Sequence, residues 1–238
     1  MPALVVLGAR NLGGAILDHF RERGWDGAAV ARSEDTLARV RERGAVALEA
    51  DASDPGALTE ALARAREQLG GLDLVVNAVS AATASGPPFG GGPIGDATLD
   101  GFRGWAVSVA EQAFVFLSCG IRALRDAGGA GTLVQVTGGS SARAFPGRGP
   151  WAAGAFASRA LVQAAAQELR EEGIHVALLA VNATIESPKT EAFTRDTPRE
   201  ALASMEAVAA AVAFLADQDV RGMTHELVVT PSGDRWLP

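Results

Sequence analysis

The sequence predicts an α/β fold of the doubly wound kind, with a parallel sheet of about seven strands and helices on both faces. Three observations predict it. Short runs rich in Val, Leu and Ala alternate along the chain with longer stretches of helical period. Those runs are apolar at nearly every position, as in Leu4-Val5-Val6-Leu7 and Val176-Ala177-Leu178-Leu179, which is the pattern of strands covered on both sides by crossover helices. And 238 residues, 48% hydrophobic and 21% charged with no low-complexity linker, suffice for one large core, so 1–238 reads as a single domain.

In chain order, strands are expected over Ala3–Leu7, Gly27–Ala31, Ala45–Glu49, Asp73–Asn77, Thr132–Thr137, Ile174–Ala180 and His225–Val229. Helices fill the gaps. The first, from about Gly13 to Arg23, sets Ile16, Leu17 and Phe20 on one face and stops at Gly24; a late one repeats the pattern with Val208, Val212 and Leu215. Ser85–Asp96 holds six Gly or Pro between Gly86 and Gly92 and reads as a surface loop beside the sheet. Glu186–Glu200, broken by Pro188 and Pro198, is a candidate lid over a substrate, with a plain connector as the alternative.

Composition excludes several classes. A net charge of −7 argues against nucleic acid as a partner, because binding a polyphosphate needs clustered Lys and Arg. The one cysteine, Cys119, rules out an internal disulfide and fits core packing in a reducing compartment. The first strand follows the start directly with no basic segment, and no apolar run comes near the roughly 18 residues of a membrane span, so a cytoplasmic protein without membrane contact is expected. His19, His175 and His225 have no spacing that would gather them as metal ligands. Neither a Gly-x-Ser-x-Gly elbow nor a P-loop lysine is present, which removes the hydrolase and kinase readings.

The first strand runs into Gly8-Ala9-Arg10-Asn11-Leu12-Gly13-Gly14 and then a helix. Glycine suits such a place, since the backbone must turn tightly and approach a pyrophosphate while the helix N-terminus supplies N–H donors. The segment resembles the Gly-x-x-x-Gly-x-Gly fingerprint of the short-chain dehydrogenase/reductase family, whose fold is Rossmann-type. Gly8 and Gly14 take the outer places, Leu12 stands where the middle glycine belongs, and Gly13 comes one residue late. Either the turn is redrawn around Gly13 or phosphate affinity is reduced.

The resemblance implies a nicotinamide cofactor held by Gly8, Arg10, Asn11, Leu12, Gly13, Gly14, Arg32, Asp51, Ala52, Asn77, Ala78, Ser80 and Ile185. Ala31-Arg32-Ser33 has no acid at the strand end, and Arg32 can pair with a 2′-phosphate, which favours NADP(H) over NAD(H). Asp51-Ala52 resembles the adenine-contacting pair. Asn77-Ala78-Val79-Ser80 is similar to the Asn-Asn-Ala-Gly wall beside the ribose, in altered form, and Ile185 lies where the nicotinamide amide is met by backbone. That last turn is changed, with Val181-Asn182 in place of Pro-Gly.

The reaction site departs from the family altogether. Family chemistry rests on a tyrosine, a lysine four residues on, a serine and an asparagine, and this chain contains no tyrosine. Register from Gly173-Ile174-His175-Val176 back along the helix puts Trp151 in the tyrosine place, Ala155 in the lysine place, Gly138 in the serine place and Ser108 in the asparagine place. An indole N–H does not titrate usefully and alanine offers no donor, so the usual proton relay is absent. Ser140, Ser141 and Ser108 are the substitute hydroxyls, and Trp151 is either a stacking wall for a flat substrate or a packed core residue. Thr137-Gly138-Gly139-Ser140-Ser141 also looks like a divergent branch of the superfamily with a small-residue turn.

Three functions remain open: an NADP(H)-binding oxidoreductase for a small substrate, a nucleotide-binding scaffold without turnover, and a non-redox enzyme in the old pocket. The resemblance also implies a homodimer or homotetramer built on the helices near Gly104–Arg125 and Trp151–Arg170, the second carrying Ala157, Ala160, Ala164 and Ala165.

Overall fold

The computed structural model describes residues 1–84 and 88–234. In chain order the elements are β1 (Ala3–Leu7), α1 (Leu12–Glu22), β2 (Asp26–Ala31), α2 (Glu34–Glu42), β3 (Val46–Glu49), α3 (Pro55–Leu69) and β4 (Leu74–Asn77). Then come α4 (Leu99–Phe102), α5 (Ser108–Asp126), β5 (Gly131–Gly138), α6 (Gly149–Leu169), β6 (Ile174–Val181), α7 (Glu191–Thr194), α8 (Met205–Ala216) and β7 (Glu226–Val229). The seven strands form one parallel sheet in the order β3-β2-β1-β4-β5-β6-β7. This is the expected Rossmann-type fold, with predicted strand ends within one residue of those observed.

Continuous apolar strands are explained by two cores. One face packs β1, β2, β4, β5 and β6 side chains under α3, α5 and α6; the other packs their alternate residues under α1, α2 and α8. β1 and β6 are buried along their whole length. Asp54 and Ser204 cap α3 and α8 by accepting the Ala57 and Ala207 amides, which fixes where each helix begins.

Two expectations change. By length and hydropathy the helical stretch Leu99–Asp126 does qualify as a membrane span, contrary to the sequence reading; in the fold it contributes Phe116, Leu117 and Leu124 to the core and packs on α3, α6 and the sheet. The Glu186–Glu200 segment is more ordered than a bare loop, carrying α7 and a 3-10 turn at Arg199–Ala201. It is anchored where the Thr190 hydroxyl donates to the Ile185 carbonyl at 2.7 Å. Of the Ser85–Asp96 loop, residues 85–87 lie outside the described residues. The rest folds over the start of α6: Gly90, Gly91 and Gly92 all have positive φ, and side chains there would meet Arg148, Pro150 and Pro88. Those close approaches account for the glycine run.

Candidate functional site

β1 lies between β2 and β4, and the chain leaves it in opposite directions on the two sides, so the carboxyl ends of β1 and β4 open a crevice. Gly8 closes β1 with φ +84°, donating its N–H to the Val30 carbonyl at 2.9 Å, while the Ala78 N–H reaches the Leu7 carbonyl at 3.0 Å. A Cβ on Gly8 would stand 3.2 Å from both the Ala78 carbonyl oxygen and the Val79 Cα. In the first turn of α1, a Cβ on Gly13 would collide with the Gly8 carbonyl, and one on Gly14 would come 2.9 Å from the Ala9 carbonyl. Gly13 and Gly14 therefore seat the helix on the strand. Leu12, partly buried, packs against the apolar cluster that joins α1 and α8, and it is Gly13 that makes the close approach to Gly8. The Asn11 side chain does not cap α1, so the first amides of that helix, which have no partner within any helix, gain none from the cap residue, the arrangement that suits a pyrophosphate.

Around this turn the other predicted residues fall in distinct settings. Arg32, at the end of β2, is exposed and holds a loose ion pair with Asp51 at 3.4 Å; Asp51 also accepts the Ser53 amide at 2.9 Å, and Ala52 is buried behind it. Arg10 and Ser80 are exposed. Asn77 is fully buried and turns its amide inward, donating to Gln112 at 2.7 Å and Gln135 at 2.8 Å and accepting from Gln112 at 3.2 Å. It thus shapes the wall at Ala78 through its neighbours. Gln112 and Gln135 were missed in the sequence because a Gln inside an apolar run gives no signal of its partner. Ile185 pairs with Ala203 in a short parallel bridge that closes the turn after β6.

At the reaction site, a π-helical turn over Arg103–Val107 directly precedes Ser108. In that turn the Ser108 N–H bonds the Arg103 carbonyl, which frees the Gly104 carbonyl to accept the Thr83 amide at 3.0 Å and the Ser108 hydroxyl at 2.7 Å. Ser108 therefore already gives its proton to its own helix. Ser141 is buried and donates to the Gly138 carbonyl at 2.9 Å. Ser140, in the same 3-10 turn, makes no side-chain hydrogen bond to another described residue, so of the three candidate serines it alone has an uncommitted hydroxyl. Gly138 pairs with Val181 at the ends of β5 and β6, and the following residues, Gly139 and Asn182, are in close contact.

Trp151 sits in the first turn of α6 inside an aromatic cluster, 5.9 Å from Trp105 and 5.6 Å from Phe89 between ring centroids, with Arg148 over the Phe89 ring. Ala155 is 1% exposed, so a lysine there would have to bury its stem and ammonium. Gly154 lets the two helices meet: a Cβ there would be 2.8 Å from the Ala106 carbonyl and 3.0 Å from Val109. Sequence reading found Trp151 but not its partners Trp105 and Phe89, which come from distant segments.

Charge near the turn is organised by Arg159, whose guanidinium forks onto Glu226 at 2.8 and 2.6 Å and lies 3.5 Å from the Ser141 carbonyl. Its hydrogen bonds hold the Glu226 carboxyl below the usual carboxylate range. Among the described residues no group of His, Cys, Asp and Glu is arranged to hold a metal ion.

Comparison with known proteins places the chain by family and fold. The family model described as enoyl-(acyl carrier protein) reductase matches residues 6–233. Solved structures that share the fold include the TT0495 protein of Thermus thermophilus (22% identity, TM-score 0.78, covering 95% of this chain and 96% of that one). A short-chain dehydrogenase from Rhodopseudomonas palustris is 26% identical (TM-score 0.75, 97% and 98% covered). An actinorhodin polyketide ketoreductase variant with NADPH is 20% identical (TM-score 0.75, 97% and 96% covered). No curated protein matches the chain. With the family model spanning nearly its whole length and the sheet order and crevice described above, the chain belongs to the short-chain dehydrogenase/reductase family of oxidoreductases.

Proposed function

We propose that this protein is an NADP(H)-dependent oxidoreductase that acts on a small molecule without the tyrosine–lysine relay. The observation that carries the reading is the turn itself: Leu12 packs, partly buried, against the α1 and α8 cluster, Gly13 lies against Gly8, and the amides at the start of α1 have no side-chain cap. The residues present fit a dinucleotide. Gly8, Gly13 and Gly14 would admit its pyrophosphate, with Arg10 and Asn11 alongside and Leu12 supplying a backbone amide. Ala78 and Ser80 would border its ribose on the wall shaped by Asn77, and Ile185 would present backbone to its amide. Asp51 and Ala52 would border the adenine. Arg32, with only a loose 3.4 Å partner, supports the phosphorylated form.

A bound reduced nicotinamide supplies a hydride. Orientation against it accelerates transfer independently of acid catalysis, so acceptors that need little protonation, such as an iminium ion or a polarised alkene, suit this chain best. Ser140 is the hydroxyl free to hydrogen-bond such an acceptor. The test is in two steps: NADPH and NADH fluorescence titrations, then NADPH consumption with ketones, enones and imines. Tight NADPH binding with turnover of enones or imines above ketones, reduced by Ser140→Ala and not by Ser141→Ala, is the expected result. Absence of binding to either cofactor would sink the reading.

A second reading, a nucleotide-binding protein without turnover, is favoured by one feature: the Ser108 and Ser141 hydroxyls are both committed to backbone carbonyls. NADPH binding with no consumption across the panel would select it over the first. For assembly, the exposed Phe114 on α5 and Phe156 on α6 support association of copies through these two helices, which light scattering on wild type and Phe114→Glu tests directly.

A further inference from the structure

Trp151 keeps one group that its packing does not use. The ring is held by Trp105 and Phe89, yet its indole N–H donates no hydrogen bond to any described residue. Among the described residues the one buried side-chain nitrogen or oxygen without a partner is His175 Nδ1, so the N–H of the half-buried Trp151 reaches solvent. By the same reasoning the Ser140 hydroxyl, on a residue only 4% exposed and with no partner among the described residues, also opens outward. Topology brings these two donors to one end of the sheet. The 3-10 turn Gly139–Ser141 follows the carboxyl end of β5, and α6 begins at that same end in order to return to the parallel strand β6, with Trp151 in its first turn. Trp151, Ala155 and Arg159 recur at four-residue steps and so share one face of α6. That face meets the turn, since Arg159 lies 3.5 Å from the Ser141 carbonyl and the turn packs on α6. The carboxyl ends of β1 and β4, where the crevice opens, are at the same end of this parallel sheet.

We propose that the Trp151 indole N–H is a catalytic hydrogen-bond donor which, with the Ser140 hydroxyl, holds the carbonyl oxygen of the substrate. The inference rests on the oxidoreductase reading above and narrows its substrate to a neutral carbonyl conjugated to an alkene. A carbonyl oxygen offers two lone pairs to two donors, whereas an iminium nitrogen is cationic and offers none. Hydride from the reduced nicotinamide forms a C–H bond at the β-carbon, so the alkene is reduced and the nicotinamide oxidised. The alkene pair moves to join the α-carbon and the carbonyl carbon, the carbonyl π pair goes to oxygen, and the α-carbon then takes a proton from water. Fixed donors hold the resulting enolate oxygen more strongly than the starting carbonyl, which is the condition for accelerating the step. An indole N–H donates without giving up its proton. It therefore serves an enolate, whose proton arrives at carbon from water, and fails the alkoxide of a simple ketone, which must be protonated on oxygen.

Two measurements on the full chain test this, one of them without turnover. In the first, the indole nitrogens are labelled with ¹⁵N and 4-nitrophenolate, a flat oxyanion in place of the enolate, is added without cofactor and again with NADP⁺. The Trp151 indole proton, assigned by its loss in Trp151→Phe, is expected to move downfield, while that of Trp25, which packs on Phe20 against α1, stays in place. In the second, NADPH consumption is followed with 2-cyclohexenone. Trp151→Phe keeps a ring in the aromatic cluster and removes the donor, so kcat should fall about 10²-fold with KM, NADPH affinity and melting temperature little changed. A Trp151 signal that 4-nitrophenolate leaves unmoved, with and without NADP⁺, overturns the inference. So does a Trp151→Phe protein whose kcat stays within about twofold of wild type, or whose lost activity is matched by lost NADPH affinity. A wild type that binds NADPH and reduces nothing would sink the oxidoreductase reading instead, and the indole shift would still report whether this donor meets an oxyanion, so the two failures are told apart.

Discussion

The side-chain carbonyl of Asn182 lies against the Cα of Gly139 so closely that a Cβ there would overlap it. The two residues follow the last paired positions of β6 and β5, Val181 and Gly138, and Asn182 is held from the far side by its own N–H on the Val229 carbonyl at 2.8 Å. Both stand where the family pattern is altered, Asn182 in place of the glycine of Pro-Gly and Gly139 beside the missing serine. One change accommodates the other: a side chain after β6 is tolerated because the facing turn has none.

Gly139→Ala should therefore lower stability by about 1–3 kcal/mol, the usual range for overpacking. Urea denaturation reads this, and adding Asn182→Gly, which removes the opposing carbonyl, should restore most of the loss. Equal destabilisation in the single and double variants would show that the contact is not the limiting one.

Gly13→Ala puts a methyl against the Gly8 carbonyl and forces α1 away from β1. NADPH affinity should fall at least tenfold, on the order of 1.4 kcal/mol, with the far-UV dichroism of the sheet and helices retained. Leu12→Gly is the informative contrast. It removes packing from the α1 and α8 cluster, so it should lower the melting temperature while leaving cofactor affinity near wild type. If Leu12→Gly instead tightens NADPH binding strongly, the leucine obstructs the turn after all.

The fold was legible because buried parallel strands write themselves as apolar runs: Leu4-Val5-Val6-Leu7 and the β6 run needed no partner to be recognised. The glycine turn was legible in position but not in form, since only the packing of Leu12 distinguishes a redrawn turn from an obstructed one. What sequence could not give is contact between distant segments. Phe89 and Trp105 lie 62 and 46 residues before Trp151, yet the three rings form one cluster. Nor did a list of three serines reveal which hydroxyl was free, because that depends on a π-helical turn and a carbonyl three residues back.

Restoring the family pair by Trp151→Tyr with Ala155→Lys should not restore ketone reduction. Ala155 is 1% exposed, so a lysine there must bury its ammonium or push its neighbours aside, and Trp151 braces Trp105 and Phe89. The double variant is expected to lose about 2–4 kcal/mol in urea denaturation. NADPH oxidation with simple ketones should remain at the wild-type level. A folded double variant whose ketone turnover rises by about 10²-fold would mean that the position of the old relay is intact, contrary to this packing.

At the opposite edge of the sheet, stability should depend on pH through one buried imidazole. His175, at the start of β6, is 3% exposed, with Nε2 2.9 Å from the Thr224 carbonyl and Nδ1 buried without a hydrogen-bond partner; the His225 ring is 5.6 Å away. The carbonyl beside Nε2 requires the proton there, which leaves Nδ1 bare in the neutral ring. Burial pushes the His175 pKa down and the charge on His225 lowers it further, while the Thr224 and Leu215 carbonyls partly offset this. The unfolded chain then binds a proton near pH 6.5 that the folded chain refuses, so this contribution is complete above that pH and is lost as the pH falls toward the folded value. The carboxylates Glu172 and Glu226, held low by Arg125 and Arg159, act in a separate window below the ordinary carboxylate pKa. Urea midpoints should therefore be flat above about pH 7 and decline from about pH 6.5 downward, and His175→Gln should flatten that first decline while leaving the acid one. Parallel profiles for wild type and His175→Gln would place the pH sensitivity elsewhere.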